Sequence, residues 1–234
     1  MIKILGSIKN LDEASLISDY NFDIIDIKNI DDGALGYVGN KEIKLIAHEM
    51  TERTLSVTAG NEIHPNNIEM ENKLELLSLL GIAYIKIGIF DMSLLEQHKL
   101  FLKKATSYNI KTVGVIFADN KPQIKDIDSI CDLDYDGLMI DTISKSKYST
   151  LDILGEKLLS YFIVRCHNLN KFCGLSGSLN YKNIEKAMNF KPDFIGLRGA
   201  LCSLSKREDI EINQCGNIIN RVEEINQRMC QEAV

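Results

Sequence analysis

The stretch Asp23-Ile24-Ile25-Asp26-Ile27-Lys28-Asn29 makes two demands on the backbone. Its isoleucines favour an extended chain, in which successive side chains point to opposite faces. Ile25 and Ile27 then lie on one side with Asp23, while Ile24, Asp26 and Lys28 share the other. A strand that is otherwise apolar, with opposite charges on a single face, needs a reason for them.

The stretch has seven counterparts. IKILGS from Ile2, TLSVTA from Thr54, AYIKIG from Ala83, KTVGVIFA from Lys111, GLMID from Gly137, FCGLSG from Phe172 and DFIGLRG from Asp193 are short apolar runs rich in strand formers. With DIIDIK they begin on average about 27 residues apart, room for a strand, a helix and two short loops. Between them, EASLISDY, IEMENKLELLSLLG, SLLEQHKLFLKKATSY, TLDILGEKLLSYFIVRCHNL and IEKAMNF carry apolar residues three and four apart, as helices do. Gly81 stands where the second of these would be capped. Eight βα repeats without a linker predict one domain over residues 1–234, an α/β fold of the single (β/α)8 TIM-barrel type. The competing open, doubly wound sheet would bring a GxGxxG or GxxxxGK[ST] loop, and neither is in the sequence.

Composition narrows the functions. The 234 residues are 45% apolar, enough for a sizeable core, and the formal charge of -6 argues against a nucleic-acid partner. The six cysteines form no CxxC pair in a chain too large to need disulfide staples, so reduced thiols and a cytoplasmic location are expected. The N-terminal MIKILGSIKNLDEAS lacks the apolar region of a signal peptide. No uncharged apolar run approaches the roughly 18 residues of a membrane span, so no membrane partner is expected.

In a barrel, chemistry sits at the C-terminal ends of the strands. Three lysines fall there: Lys28 after the second run, Lys86 near the end of the fourth and Lys145 after the sixth. Alternation places Asp26 with Lys28, and Tyr84 with Lys86 and Gly88, on single faces, and the inward faces of even strands let Lys28 and Lys86 converge. A lysine at a strand end is most often solvated, and Lys145, in a loop with Lys147, fits that description best. Lys86, between Ile85 and Ile87, fits it least, because a buried ammonium must find a carboxylate or lose its proton. A lysine desolvated beside another cation keeps a neutral amine that attacks carbonyls to form a Schiff base. Asp26 and Asp141 can move the protons of such chemistry, or serve only as structural ion-pair partners.

The last two runs end in GLSGS (Gly174 to Ser178) and GLRGA (Gly196 to Ala200). Barrels often hold a phosphate at these strand ends with glycine amides, so Gly177, Ser178, Arg198 and Gly199 are candidate phosphate-binding residues. Ser176 mimics a nucleophile elbow, but no histidine follows it in the chain. His48, His64, His98 and His167 show neither HExxH nor zinc spacing, so no metal and no cofactor are expected. His98 and His167 lie in helical segments and are expected at the surface or its boundary.

DIIDIKN with DGALG, LSVTAGN, YIKIG, IDTISK, GLSGSL and DFIGLRGALC, in this order, resemble the (5-formylfuran-3-yl)methyl phosphate synthases of methanofuran biosynthesis from the first strand to about Arg207. The resemblance implies a TIM-barrel lyase that condenses two molecules of glyceraldehyde 3-phosphate into a phosphorylated furan aldehyde, with loss of phosphate and water. It further implies that Lys28 is the Schiff-base lysine, that Lys86 and Lys145 are the other active-site lysines, and that Asp26 and Asp141 are the acid/base carboxylates. Asn61 stands where the family pattern has Asp, and Ile30 where it has Pro. The segment after Cys202 also diverges. Asn61 cannot act as a base. Another Schiff-base or triose-phosphate barrel, an aldolase or a phosphate-ester isomerase, and a non-catalytic barrel that binds a phosphate ligand, remain the alternatives. The partner expected is a small triose phosphate, and a homo-oligomer is compatible with the fold.

Overall fold

The structure is a computed structural model that describes residues 1–144, 148–203 and 208–232. Each of the apolar runs is a strand: β1 (Lys3–Ile8), β2 (Ile24–Ile27), β3 (Leu55–Thr58), β4 (Tyr84–Ile89), β5 (Lys111–Phe117), β6 (Gly137–Asp141), β7 (Phe172–Leu175) and β8 (Phe194–Leu197). Neighbours in sequence pair in parallel, and β8 returns to β1 to close the barrel. The expected (β/α)8 barrel is therefore the observed fold.

The expected helical segments appear as α1 (Leu11–Ile17), α3 (Ile68–Leu79), α4 (Leu95–Ala105), α6 (Thr150–Asn168) and α7 (Ile184–Met188). Gly81 does close α3, at φ 72° with its N–H donating to the Ser78 carbonyl. Three further helices complete the repeats: α2 (Asn40–Glu49), α5 (Ile124–Cys131) and α8 (Ile212–Glu232). Helix α8 buries Cys215, Ile218, Ile219, Val222 and Ile225 along one stripe. Asn226 then clasps the first strand's approach, its side chain accepting from the Ile2 N–H and donating to the Ile2 carbonyl, both at 2.9 Å. No helix among the described residues is long and apolar enough to cross a membrane.

Alternation along the strands builds two apolar layers. Ile25, Val57, Ile85, Ile87, Ile140, Leu175 and Ile195 belong to a large outer layer with helix residues such as Ile43, Leu77, Phe101 and Phe162. Leu5, Ile24, Val113, Val115, Phe117, Met139 and Phe194 form a smaller cluster inside the barrel, joined by Tyr84 and Phe172. Glycines make room for the rings: a Cβ at Gly137 would stand 2.5 Å from Phe172, and one at Gly174 would overlap Phe194. Gly174→Ala is therefore expected to lower stability by about 1–3 kcal/mol through overpacking, measurable by denaturant unfolding.

His98 corrects the sequence reading. It is fully buried in α4, with Nδ1 2.6 Å from the Tyr135 hydroxyl, because the helix face that carries it also carries Phe101 and Leu102 against the sheet. His167 is exposed, as expected. Burial pushes the His98 imidazole down to about 4. Since the unfolded chain holds that proton near 6.5, the stability gained from neutral His98 is present above pH 6.5 and lost as pH falls toward 4. The shift corresponds to about 3 kcal/mol, so His98→Gln is expected to flatten the loss of stability across that window, read by thermal melts at several pH values.

Candidate active site

The C-terminal ends of the strands surround a cleft that is open to solvent. Lys28, Lys86, Asp141, Gly177, Ser178, Arg198 and Gly199 all line it. Asp26 lies beneath it, fully buried. Lys145 lies outside the described residues.

The register of β1 to β4 explains the polar floor. Ser7 on β1 pairs with Asp26 on β2, Asp26 with Ser56 on β3, and Thr58 with Lys86 on β4. These positions alternate with the apolar outer layer and so point inward. Lys86 Nζ reaches Asp26 Oδ2 at 2.5 Å, and Ser7 Oγ donates to the same oxygen at 3.0 Å. Asp26 Oδ1 and Ser56 Oγ are buried without a hydrogen-bond partner among the described residues. The side chains of Lys86 and Asp26 are 4% and 0% exposed.

A second pair stands higher in the cleft. Lys28 Nζ lies 3.9 Å from Asp141 Oδ2, where both side chains keep some contact with water. The Lys28 N–H donates to the Ile8 carbonyl and extends the β1–β2 ladder, while Asp141 Oδ1 accepts the Thr142 N–H at 2.7 Å. Asp26 and Lys28 share a strand face, as the sequence suggests, yet the carboxylate of Asp26 pairs across the barrel with Lys86. Lys28 and Lys86 do open into one cleft, at different depths.

The loops after β7 and β8 close the other side. Gly177 and Ser178 both adopt positive φ, 89° and 52°, and the Gly177 carbonyl accepts the Thr150 N–H at the start of α6. A Cβ at Gly177 would collide with Thr150 and Thr142, so only glycine fits. Gly199 opens a short 3-10 turn, Gly199–Leu201. Arg198 is already engaged: its terminal nitrogens donate to both Glu13 carboxylate oxygens, to the Ser7 carbonyl and to the Glu208 carbonyl. Its Nε is buried without a hydrogen-bond partner among the described residues. Neither Ser7 nor Glu13 is singled out by the sequence, since a serine on an inward face and a glutamate at a helix start carry no signal of their own.

Two neighbouring loops hold the rim. Asn61 Nδ2 donates to the Asp32 carbonyl at 2.7 Å, and its Oδ1 accepts the Leu35 N–H at 3.1 Å. An amide both donates and accepts, which an ionised Asp cannot, so Asn61 fastens the loop between β2 and α2. Asp119 accepts from the Ser144 hydroxyl and from the N–H groups of Ile143 and Ser144, fixing the loop after β6. Burial works to raise the Asp119 carboxyl, but the hydrogen bonds from Ser144 and Ile143 prevail and hold it below the usual range.

A parallel barrel with two lysine–carboxylate pairs in a strand-end cleft is the framework of an enzyme. The 4-HFC-P synthase family model matches residues 4–216, and the chain belongs to that family. The (5-formylfuran-3-yl)methyl phosphate synthase of Methanosarcina mazei is 29% identical over 224 residues, covering 86% of this chain and 91% of the relative. That of Methanopyrus kandleri is 26% identical over 219 residues, covering 88% and 91%. Among solved structures, 3-hexulose-6-phosphate synthase from Salmonella typhimurium superposes with a TM-score of 0.68 at 12% identity, covering 96% of this chain and all of that one. Phosphoribosylanthranilate isomerase from Thermotoga maritima gives 0.64 at 15% identity, covering 96% and 100%. These two likenesses concern the fold.

Removing one member of the buried pair strands a charge. Lys86→Met is expected to cost about 3–5 kcal/mol in unfolding free energy, and the double variant Asp26→Asn with Lys86→Met to recover most of it. Additive losses would exclude the pairing.

Proposed function

We propose that the protein condenses two molecules of glyceraldehyde 3-phosphate into (5-formylfuran-3-yl)methyl phosphate, releasing one phosphate and two waters, for methanofuran or an analogue. The observation that carries this reading is the pair of lysine–carboxylate contacts on one cleft, Lys28 with Asp141 and Lys86 with Asp26, in a member of the 4-HFC-P synthase family.

Lys28 is the nucleophile in this scheme. It follows β2, retains contact with solvent and has a carboxylate 3.9 Å away that can take and return protons. Its amine adds to the carbonyl carbon of a triose phosphate, and loss of water leaves an imine. The imine acidifies the adjacent carbon; as its proton leaves to a carboxylate, the next carbon expels its phosphate, and the enol carbon so formed attacks the ketone carbon of the second triose phosphate once that triose has isomerised. The primary hydroxyl of the second triose closes the ring on the ketone of the first, two waters leave to make the ring aromatic, and one water hydrolyses the imine to free Lys28 and the formyl group. Asp141 serves the proton transfers at Lys28. The Asp26–Lys86 pair beneath supplies a fixed ammonium toward anionic intermediates, held by Ser7. Lys145 is assigned to the same anionic groups. Gly177, Ser178, Arg198 and Gly199, which line the cleft, are assigned to a substrate phosphate.

Incubation with glyceraldehyde 3-phosphate alone is expected to yield furan absorbance and free phosphate in equal amounts. Borohydride reduction during turnover should attach substrate mass to Lys28. Lys28→Met should lose activity on the order of 10³-fold or more, and Asp141→Asn about 10²–10⁴-fold. A reduced adduct on another lysine would overturn the nucleophile. Cleavage or isomerisation of trioses without furan would make the protein an aldolase or isomerase instead.

A further inference from the structure

The N-terminal rim of the barrel, opposite the cleft, holds a second cluster. His167 lies near the end of α6, Cys173 lies in β7 on the face toward the helices, and Asp193 immediately precedes β8. His167 Nε2 stands 3.4 Å from Cys173 Sγ and 3.1 Å from Asp193 Oδ2, and donor atoms of the three residues lie within 4.8 Å of one another. One ring nitrogen thus faces a sulfur and a carboxylate oxygen together. A single N–H can serve only one of them. A tetrahedral ion bonded to nitrogen, oxygen and sulfur at about 2.0–2.3 Å spaces its donors roughly 3.3–3.6 Å apart, close to the 3.4 and 3.1 Å that separate Nε2 from the sulfur and the carboxylate oxygen.

The carboxylate is held in place by the strands themselves. Asp193 Oδ2 accepts the Cys173 N–H at 2.7 Å, and the Asp193 N–H donates to the Cys173 carbonyl at 2.8 Å. Such outer contacts orient metal ligands. Cys173 is fully buried, whereas the side chains of His167 and Asp193 are 42% and 43% exposed. That exposure gives an entry path and leaves the fourth position to water. The mixed sulfur, nitrogen and oxygen set suits a borderline-soft cation such as Zn²⁺ and not Mg²⁺ or Ca²⁺, which take oxygen ligands.

We propose that Cys173, His167 and Asp193 bind a thiophilic divalent cation of the zinc type. The thiol proton is released to solvent as the sulfur–metal bond forms. Because the donors come from α6, β7 and the approach to β8, the ion ties three elements together on the face away from the reaction. Its effect is on stability.

The test is titration of the full-length chain, first stripped with a chelator, with Co²⁺. The expected result is a thiolate-to-cobalt charge-transfer absorption that saturates at one equivalent and is displaced by Zn²⁺. His167→Gln and Asp193→Asn, both at half-exposed side chains, should weaken Zn²⁺ binding at least about tenfold. Cys230→Ser, at the exposed cysteine, should leave it intact. Zn²⁺ should raise the unfolding temperature of the unaltered chain and not that of His167→Gln. No charge-transfer absorption at one equivalent of Co²⁺ would overturn the site. So would an absorption that survives both His167→Gln and Cys173→Ala.

Discussion

A carboxylate and an ammonium 2.5 Å apart and almost out of reach of water cost more to desolvate than their attraction returns, unless a rigid frame holds them. The barrel supplies that frame around Asp26 and Lys86. Its outer apolar layer presses the helices onto the sheet, and the rings of Phe172, Phe194 and Tyr84 plug the interior on the far side. Strands β1 and β3 present Ser7 and Ser56 to Asp26 where branched apolar side chains would otherwise stand. One quadrant of the interior is polar because the remainder is not. A pair that contributes so little to stability is better explained by what it offers the cleft above it.

The four charged groups alternate in sign and all come from even strands or their ends: Asp26 and Lys28 from β2, Lys86 from β4 and Asp141 from β6. They also differ in depth. The deep pair is tight, dry and bound to Ser7, whereas the upper pair is 3.9 Å apart and keeps some contact with water. A group that must bond to substrate and let go again needs the looser setting, and a group that only holds a charge in place needs the tighter one.

Much of this arrangement could be read from the residues. Strands announce themselves through β-branched runs, and alternation in DIIDIKN and YIKIG puts Asp26, Lys28 and Lys86 on inward faces before any coordinates are known. What alternation leaves open is which charge meets which, because that depends on stagger between strands that are far apart in sequence. Asp26 meets Lys86 for this reason. The same limit hides Glu13, whose partner Arg198 lies at the other end of the chain. His98 reads as a surface residue in a charged helix until the sheet behind it is known. Helix α8 is masked in the sequence although its apolar stripe is regular, since polar residues outnumber the stripe. Asn61 looks like a lost base and proves to be a fastener of the β2–α2 loop.

Asp23, Asp136 and Asp193 stand immediately before β2, β6 and β8, and each accepts the N–H of a residue on the preceding strand: Ile4, Thr112 and Cys173. Each carboxylate therefore acts as a ruler for its strand pair, since a slip of one residue would break its bond and turn every side chain on that strand to the wrong face. Alignment is set at the end of the barrel opposite the cleft. The opposite end is thereby left free to change its loops and side chains over evolutionary time without losing the geometry that aims them.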